Sequence, residues 1–366
     1  MNIKINREVL LKPLSNVSGI VEKRHALPIL SNLLLEGEDG ILKFTATDLE
    51  VQISLSIKAD IKESFKTTIS ARKLFDITRA LQEESILDIQ IDDSKVMVKA
   101  KKSRFNLQTL PAKDYPVMVK NEGEAINFSV SQNQLKSLLK QVDFSMAQQD
   151  IRYYLNGLLF EVVGKKLNIV ATDGHRLSFT STNLSEAQEK TQIIIPRKTI
   201  IELIKLMSDD EQPIMVSVTK TQVVFKFNDI DLITKVIDGK FPDYDRVIPV
   251  GHKNVFNVDR LSLLASMQRA SILSNEKYRG IRMVIEENNL KLISSNSEQE
   301  QAEEELEIKY TGTTIDIGFN VTYLIDVLVN IQFDELTFAF NDSSSSCLIT
   351  IPNNDDYKYV VMPMRI

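Results

Sequence analysis

The sequence predicts an α+β protein of three similar domains, each with two helices packed on antiparallel sheet. Three observations predict it. First, the strand-and-turn stretch Leu167-Asn168-Ile169-Val170-Ala171-Thr172-Asp173 recurs upstream as Leu42-Lys43-Phe44-Thr45-Ala46-Thr47-Asp48 and, more weakly, downstream as Leu290-Lys291-Leu292-Ile293-Ser294-Ser295-Asn296. Asp48 and Asp173 are 125 residues apart, and Asp173 and Asn296 are 123 apart. Second, other landmarks keep that period: Asn32, Gly157 and Gly280 each precede an apolar strand, and Leu10, Leu135 and Leu261 each sit in an amphipathic stretch. Third, Arg72-Lys73 and Arg197-Lys198 open matching helical patterns. A period of about 120 residues is the size of one domain, so the chain reads as a threefold internal repeat with domains at 1–120, 127–246 and 247–366.

The first repeat opens on an alternating strand at residues 2–6 and a helix near Arg7–Ser18, with Leu10, Leu14 and Val17 at i, i+4 and i+7. Strands follow at 32–36, 42–46, 51–57 and 66–70, a second helix near 71–82, and strands at 87–91, 96–100 and about 104–109. Val117–Ala125, with Gly123 and no periodicity, reads as a linker. The second repeat places helices around Leu135, Leu138, Leu139 and Val142, and around Ile200, Leu203, Ile204 and Met207. After a linker near Asp243–Asn254, the third places them at Leu261 and Leu264 and at Leu324, Val327, Leu328 and Ile331. Each repeat is thus expected to hold two helices and seven or eight short strands.

Composition bounds the class. The chain is 43% hydrophobic and 26% charged, enough apolar residue for a real core. One cysteine, Cys347, excludes an internal disulfide framework and fits a reducing compartment. The first residues lack the apolar core of a signal peptide, and no apolar run reaches the roughly 18 residues of a membrane span. The expectation is a cytoplasmic protein with no membrane partner.

Net charge is −6 and pI about 5.4, which alone argues against a nucleic-acid binder. The six helical segments differ from the rest. They hold 12 Lys and Arg against six Asp and Glu, so helices at +6 sit on a remainder at −12. Helices gathered on one surface make that surface basic on an acidic body. Lys and Arg are also good helix formers on solvated faces, and the counts alone leave both readings open.

A second asymmetry bears on association. Lys95, Lys99, Lys101, Lys102 and Arg104 crowd the end of the first repeat, next to Phe105 and Leu107. In the third, residues 294–307 carry Glu298, Glu300, Glu303, Glu304, Glu305 and Glu307 and no basic residue. Either stretch could be a solvated strand. Opposite patches at opposite ends of a repeat protein also suit a head-to-tail homodimer, with Ile272 and Leu273 as the apolar complement.

The sequence carries little that points to catalysis. His25, His175 and His252 show no metal-ligand spacing, and neither GxxxxGK[ST] nor GxGxxG occurs. Asp173 and His175 could form an acid–base pair, but no nucleophile motif lies nearby. The equivalent positions hold Leu49-Glu50 and Ser297-Glu298, so the scaffold does not require that chemistry. The expectation is no enzyme, no cofactor and no metal.

Several motifs in order carry a resemblance. Arg152-Tyr153-Tyr154-Leu155-Asn156-Gly157, Ala171-Thr172-Asp173-Gly174-His175-Arg176-Leu177 and Asp238-Gly239-Lys240-Phe241-Pro242-Asp243-Tyr244 are three. Ile272-Leu273-Ser274-Asn275-Glu276-Lys277, Thr47-Asp48-Leu49-Glu50 and the ending Tyr359-Val360-Val361-Met362-Pro363-Met364-Arg365-Ile366 are the others. Over essentially its whole length the chain resembles the bacterial DNA sliding clamp, the beta subunit of the replicative DNA polymerase III holoenzyme. The resemblance implies a DNA clamp fold and a head-to-tail dimeric ring whose helices line a hole. It implies a processivity factor that encircles double-stranded DNA without reading sequence. It also implies tethering of the replicative polymerase, the clamp loader and other replication and repair proteins that carry a clamp-binding peptide. A protein-interaction scaffold that never meets DNA is the alternative.

Residue by residue, the resemblance implies DNA contacts at Arg24, Arg72, Gln149, Arg152, Tyr153, Tyr154, Arg197 and Lys198. It implies a partner-peptide pocket at Leu155, Thr172, Gly174, His175, Arg176, Leu177, Pro242, Arg246, Val247, Val360, Val361, Met362, Pro363, Met364 and Arg365. Arg176, Arg246 and Arg365 are expected at its rim, and Ser344 is expected to make its floor more polar. The expected dimer interface is Lys102, Arg104, Phe105, Leu107, Ile272, Leu273, Glu298, Glu300, Glu303 and Glu304.

Overall fold

The computed structural model describes residues 1–21, 27–92, 94–121 and 123–365. The first repeat runs β1 (Asn2–Asn6), α1 (Arg7–Ser18), β2 (Asn32–Glu38), β3 (Ile41–Thr47), β4 (Val51–Lys58), β5 (Phe65–Ser70), α2 (Ala71–Ala80), β6 (Ile86–Ile91), β7 (Lys95–Ala100) and β8 (Ser103–Gln108). The second runs β9 (Ile126–Ser131), α3 (Gln132–Lys140), β10 (Gly157–Thr172), β11 (Arg176–Pro196), α4 (Arg197–Leu206), β12 (Pro213–Val218), β13 (Gln222–Phe227) and β14 (Ile230–Lys235). The third runs β15 (Asn254–Asp259), α5 (Arg260–Ser271), β16 (Gly280–Glu286), β17 (Asn289–Ser295), β18 (Gln301–Glu307), β19 (Ile315–Asn320), α6 (Val321–Asn330), β20 (Glu335–Phe340), β21 (Cys347–Ile351) and β22 (Asn354–Val361). The order of the third repeats that of the first.

Local chemistry explains these elements. β1 alternates, with Ile3 and Ile5 buried. α1 buries Leu10, Leu14 and Val17, and α6 buries Val321, Leu324, Val327 and Leu328, each a single apolar stripe. Asp259 caps α5 by accepting the Ser262 amide at 2.7 Å, and Asn320 caps α6 by accepting the Thr322 amide at 2.9 Å. The second repeat departs from the expected seven or eight short strands. Two continuous extended segments, β10 and β11, stand where β2 to β5 stand in the first. Gly164, at φ +58°, lets the chain turn without leaving the ladder. Pairing is nevertheless kept: 157–162 with 191–196 follows β2 with β5, and 166–172 with 177–183 follows β3 with β4.

The chain divides into two compact units, Met1–Gln134 with Ile201–Val236, and Leu135–Ile200 with Ile237–Ile366. The first holds a four-stranded sheet, β1-β6-β7-β8, and an eight-stranded one, β5-β2-β3-β4-β14-β13-β12-β9. The outer strands of the second repeat therefore complete the sheet begun by the first, with Val51 opposite Thr234 and Leu55 opposite Ile230. The second unit holds a six-stranded sheet, β10-β11-β22-β21-β20-β15, and a four-stranded one, β18-β17-β16-β19. There the outer strands of the third repeat complete the sheet of the second, with Arg176 opposite Val361 and Thr180 opposite Tyr357.

In the second unit, alternation along β21 and β22 splits the apolar residues between two cores. Ile349 and Val361 join the large one, built on Phe256, Phe319, Phe338 and Phe340 with Leu263 and Met267 of α5 and Leu324 and Leu328 of α6. Leu348 and Val360 face the other way. They join a smaller cluster with Leu159, Val170, Leu177, Phe179, Ile194, Phe241 and Tyr244. A cavity opens beside that small core.

Candidate functional site

The cavity is built on the turn between β10 and β11. Thr172 Oγ1 donates to the Arg176 carbonyl at 2.6 Å and accepts the Gly174 amide at 3.1 Å. Asp173 Oδ1 accepts the amides of His175 at 2.9 Å and Arg176 at 3.0 Å. The first repeat makes the same turn with Thr47 and Asp48, where Leu49 sits at φ +79° against +89° for Gly174. The Thr-Asp pair is thus a turn-forming device of the repeat. What is particular to the second repeat is glycine at the left-handed position. A Cβ on Gly174 would lie 2.8 Å from the Arg152 guanidinium.

The cavity measures 220 Å³ and is lined by Arg152, Tyr154, Leu155, Thr172, Gly174, His175, Arg176, Leu177, Pro242, Val247, Val360 and Met362. Ten of the fifteen expected pocket residues are therefore gathered in one place. Leu155 comes from a 3₁₀ turn whose carbonyl accepts the Ala147 amide at 3.0 Å. Val360 lies opposite Leu177, and the Met362 amide donates to the His175 carbonyl at 2.9 Å. Apolar walls with a few polar groups suit an apolar peptide side chain. Met362 is 45% exposed at the mouth, a flexible group free to adapt to what enters.

The other five lie elsewhere. Val361 is buried in the large core, and Arg246 is exposed and paired with Asp243 at 2.9 Å. Pro363 is half-buried, while Met364 bonds the Gly318 carbonyl through its amide at 2.8 Å. Met364 and Arg365 line a different hollow with Asn275, Tyr278 and Arg282. Ser344 is not among the cavity-lining residues. Its amide and hydroxyl both bond Asp342 Oδ1 at 2.8 Å on the surface.

Arg176 is not at the rim. Its side chain is only 9% exposed, pairing with Asp173 at 3.1 Å and with Asp326 of α6 at 2.6 Å. It also donates to the Phe144 carbonyl at 2.6 Å and lies 4.5 Å over the Tyr323 ring. The His175 ring stacks on Tyr323 at 6.5 Å. Arg176 therefore holds the turn onto α6 and leaves few donors for a ligand. Sequence reading missed Phe144, Tyr323 and Asp326. One signal was available: Asp326 is the only charge in an otherwise apolar and neutral helix.

Of the expected DNA contacts, Arg24 lies outside the described residues. Arg72 is exposed on α2 near Asp76 and lines a hollow with Lys73 and Arg79. Gln149 adopts φ +55° in the loop that leads to Arg152. Arg152 is tied to Asp150 at 2.8 Å and to the Asp173 carbonyl at 3.1 Å, so it and Tyr154 line the cavity. Hydrogen bonds from the Arg152 side chain and amide pull the Asp150 carboxyl down to about 2. Tyr153 stays exposed. Arg197 is half-buried and donates to the carbonyls of Asp143 and Met146 at 3.3 and 3.4 Å, and Lys198 is half-buried beside it on α4.

Among the expected interface residues, Ile272 is 76% exposed at the end of α5, and Leu273 is half-buried. Lys102 and Arg104 are exposed at β8, Phe105 is half-buried, and Leu107 is turned inward. Glu298 and Glu300 lie in the exposed turn before β18. On β18, Glu303 is exposed, whereas Glu304 is paired with Arg269 at 2.9 Å within the chain. No helix is long and apolar enough to cross a membrane among the described residues. The Asp173 carboxylate is engaged by turn amides and Arg176, not by the His175 ring.

The chain is similar over its whole length to known proteins. Residues 1–119, 129–243 and 245–365 match the N-terminal, central and C-terminal domains of the DNA polymerase III beta subunit. The chain is 45% identical to the beta sliding clamp of Pseudomonas aeruginosa and 41% identical to that of Escherichia coli, covering 100% of both chains in each case. Crystal structures of the Pseudomonas aeruginosa DNA polymerase III subunit beta and of Caulobacter crescentus pol III beta superpose with TM-scores of 0.96 and 0.94, at 44% and 37% identity over 100% of each chain. A solved Pseudomonas aeruginosa clamp carries bound griselimycin. The chain belongs to the DNA polymerase III beta subunit family, the bacterial beta sliding clamps.

Proposed function

We propose that two copies of the chain close head to tail into a ring that encircles duplex DNA and tethers replication and repair proteins at the 220 Å³ cavity. The observation that carries this reading is a pairing series. β4 pairs with β14, and β11 pairs with β22, in equivalent registers one repeat apart. β18 holds in the third repeat the place of β4, and β8 holds in the first the place of β14 and β22. Each lies at the end of its four-stranded sheet. Continuing the register sets Ala302 of one copy opposite Phe105 of another, and Glu303 opposite Arg104. Edge strands left unpaired invite such addition. Each copy supplies one β8 and one β18, so two copies closing on each other satisfy all four.

In this reading the domains are 1–120, 127–246 and 247–366, and the protein is cytoplasmic and non-enzymatic. Arg24, Arg72, Gln149, Arg152, Tyr153, Tyr154, Arg197 and Lys198 touch DNA weakly and without reading sequence. Short peptides of the Gln-Leu-x-Leu-Phe type enter the cavity. The test is retention on nicked circular duplex at about 0.15 M salt, followed by cutting the circle. Release on cutting is expected. Equal binding to short linear duplex overturns topological holding.

A further inference from the structure

One wall of the cavity has no strand behind it. Pro242 and Val247 belong to the irregular segment between β14 and β15, which the Ile237 amide anchors to the Ile194 carbonyl at 2.8 Å. Within it, Tyr244 makes contacts in three directions. Its carbonyl accepts the amides of Val247 at 3.0 Å and Ile248 at 3.3 Å, and its ring packs 5.8 Å from that of Phe179. Its hydroxyl donates to Glu161 of β10 in a short hydrogen bond. Both side chains are buried, each 6% exposed.

Glu161 is well suited to that task. Gln192 Nε2 donates to its Oε1 at 2.5 Å, and Asn168 Nδ2 donates to its Oε2 at 3.0 Å. Three donors converge on two oxygens. A carboxylate accepts all three, whereas the isosteric amide would turn an NH₂ toward at least one donor. Burial pushes the Glu161 carboxyl up, but the bonds from Tyr244, Asn168 and Gln192 outweigh it and hold it below the usual range. The group is therefore charged at neutral pH. The three hydrogen bonds offset the cost of burying that carboxylate, which is not among the cavity-lining residues and reaches the wall through Tyr244.

We propose that Glu161 is a positioning residue for partner recognition, holding the Pro242–Val247 wall in place through the Tyr244 hydroxyl. This rests on the peptide-pocket reading above. Two variants test it, Tyr244→Phe and Glu161→Gln, with a fluorescein-labelled Gln-Leu-Ser-Leu-Phe peptide and amide exchange on the intact dimer. Each variant is expected to bind the peptide about tenfold more weakly, and the double variant no more weakly than Tyr244→Phe alone, since the phenylalanine has already removed the hydroxyl through which residue 161 acts. Exchange at the Val247 and Ile248 amides should quicken about tenfold, while the Met362 amide, bonded to His175, keeps its protection. Saturating peptide should restore protection at Val247 and Ile248. Wild-type affinity in both variants overturns the proposal, and so does equal loosening at Met362, which marks a general loss of stability. Where one variant fails to fold, the other decides. If the wild type ignores the peptide, or Met362→Ala binds it equally well, the pocket reading fails instead, and amide exchange alone then decides the Glu161 role.

Discussion

The Arg176 guanidinium donates to Asp326 Oδ2 at 2.6 Å, joining the turn after β10 to helix α6 across 150 residues of chain. Arg176 is almost fully buried, so removing either partner leaves a charge in a poorly solvated place. Arg176→Ala should destabilise the second unit by about 3 kcal/mol, and Asp326→Ala by less, since Asp173 still pairs with the arginine. Urea unfolding reports both. A change under half of that for Arg176→Ala would mean the ion pair is replaceable by water.

Gly174 is expected to resist substitution for two separable reasons. Its φ of +89° is strained for any side chain, though Leu49 tolerates the equivalent place, and a Cβ would displace Arg152. Gly174→Ala should cost about 1 kcal/mol of stability and weaken peptide binding more than that. Repeating the affinity measurement in an Arg152→Ala background separates the causes. If the effect stays the same there, the backbone, not Arg152, is responsible.

Ile272→Ala with Leu273→Ala should yield a monomer at micromolar concentration with its folded spectrum intact, because large-to-small changes at a packed contact cost about 2–5 kcal/mol each. The proposed register adds a sharper test. Arg104→Glu should weaken the dimer, and Glu303→Arg in the same chain should restore it. Sedimentation distinguishes the species, and failure of the second change to rescue would displace the register.

Met362→Ala should reduce peptide affinity by about 1–3 kcal/mol, the range of a moderate hot spot. Deleting residues 362–366 should abolish binding while the dimer survives, although the bond from Met364 to Gly318 is lost as well. A fluorescent-peptide titration checks both. Equal affinity in the truncated chain would move the partner site elsewhere.

The link between Asp150 and Arg152 predicts a flat response near neutrality. A carboxyl held at about 2 when folded, below its unfolded value, contributes fully above the unfolded pKa and loses that contribution as pH falls toward 2. Peptide affinity should therefore hold from pH 8 to 5 and decline only in more acidic solution. A step in peptide affinity between pH 8 and 5 would overturn that expectation.

Some of this was decided by the sequence alone. The 125- and 123-residue spacings, the helix stripes of Leu10, Leu14 and Val17 and of Leu324, Val327 and Leu328, and the Thr-Asp turns are local, and period and turn chemistry are written residue by residue. The motifs around Thr172 and Met362 also pointed to one pocket. Only the tertiary structure decided what each side chain does there. Arg176 looks like a surface cation beside Asp173, yet it is buried because Asp326, 150 residues on, faces it from α6. Met364 and Arg365 follow Met362 by two and three residues, yet past the end of β22 the Met364 amide bonds the Gly318 carbonyl and both line another hollow. Glu161 and Tyr244 carry no shared motif, and 83 residues separate them. Such pairs depend on which strands lie side by side, and hydrophobic periodicity specifies a face but never the partner across it.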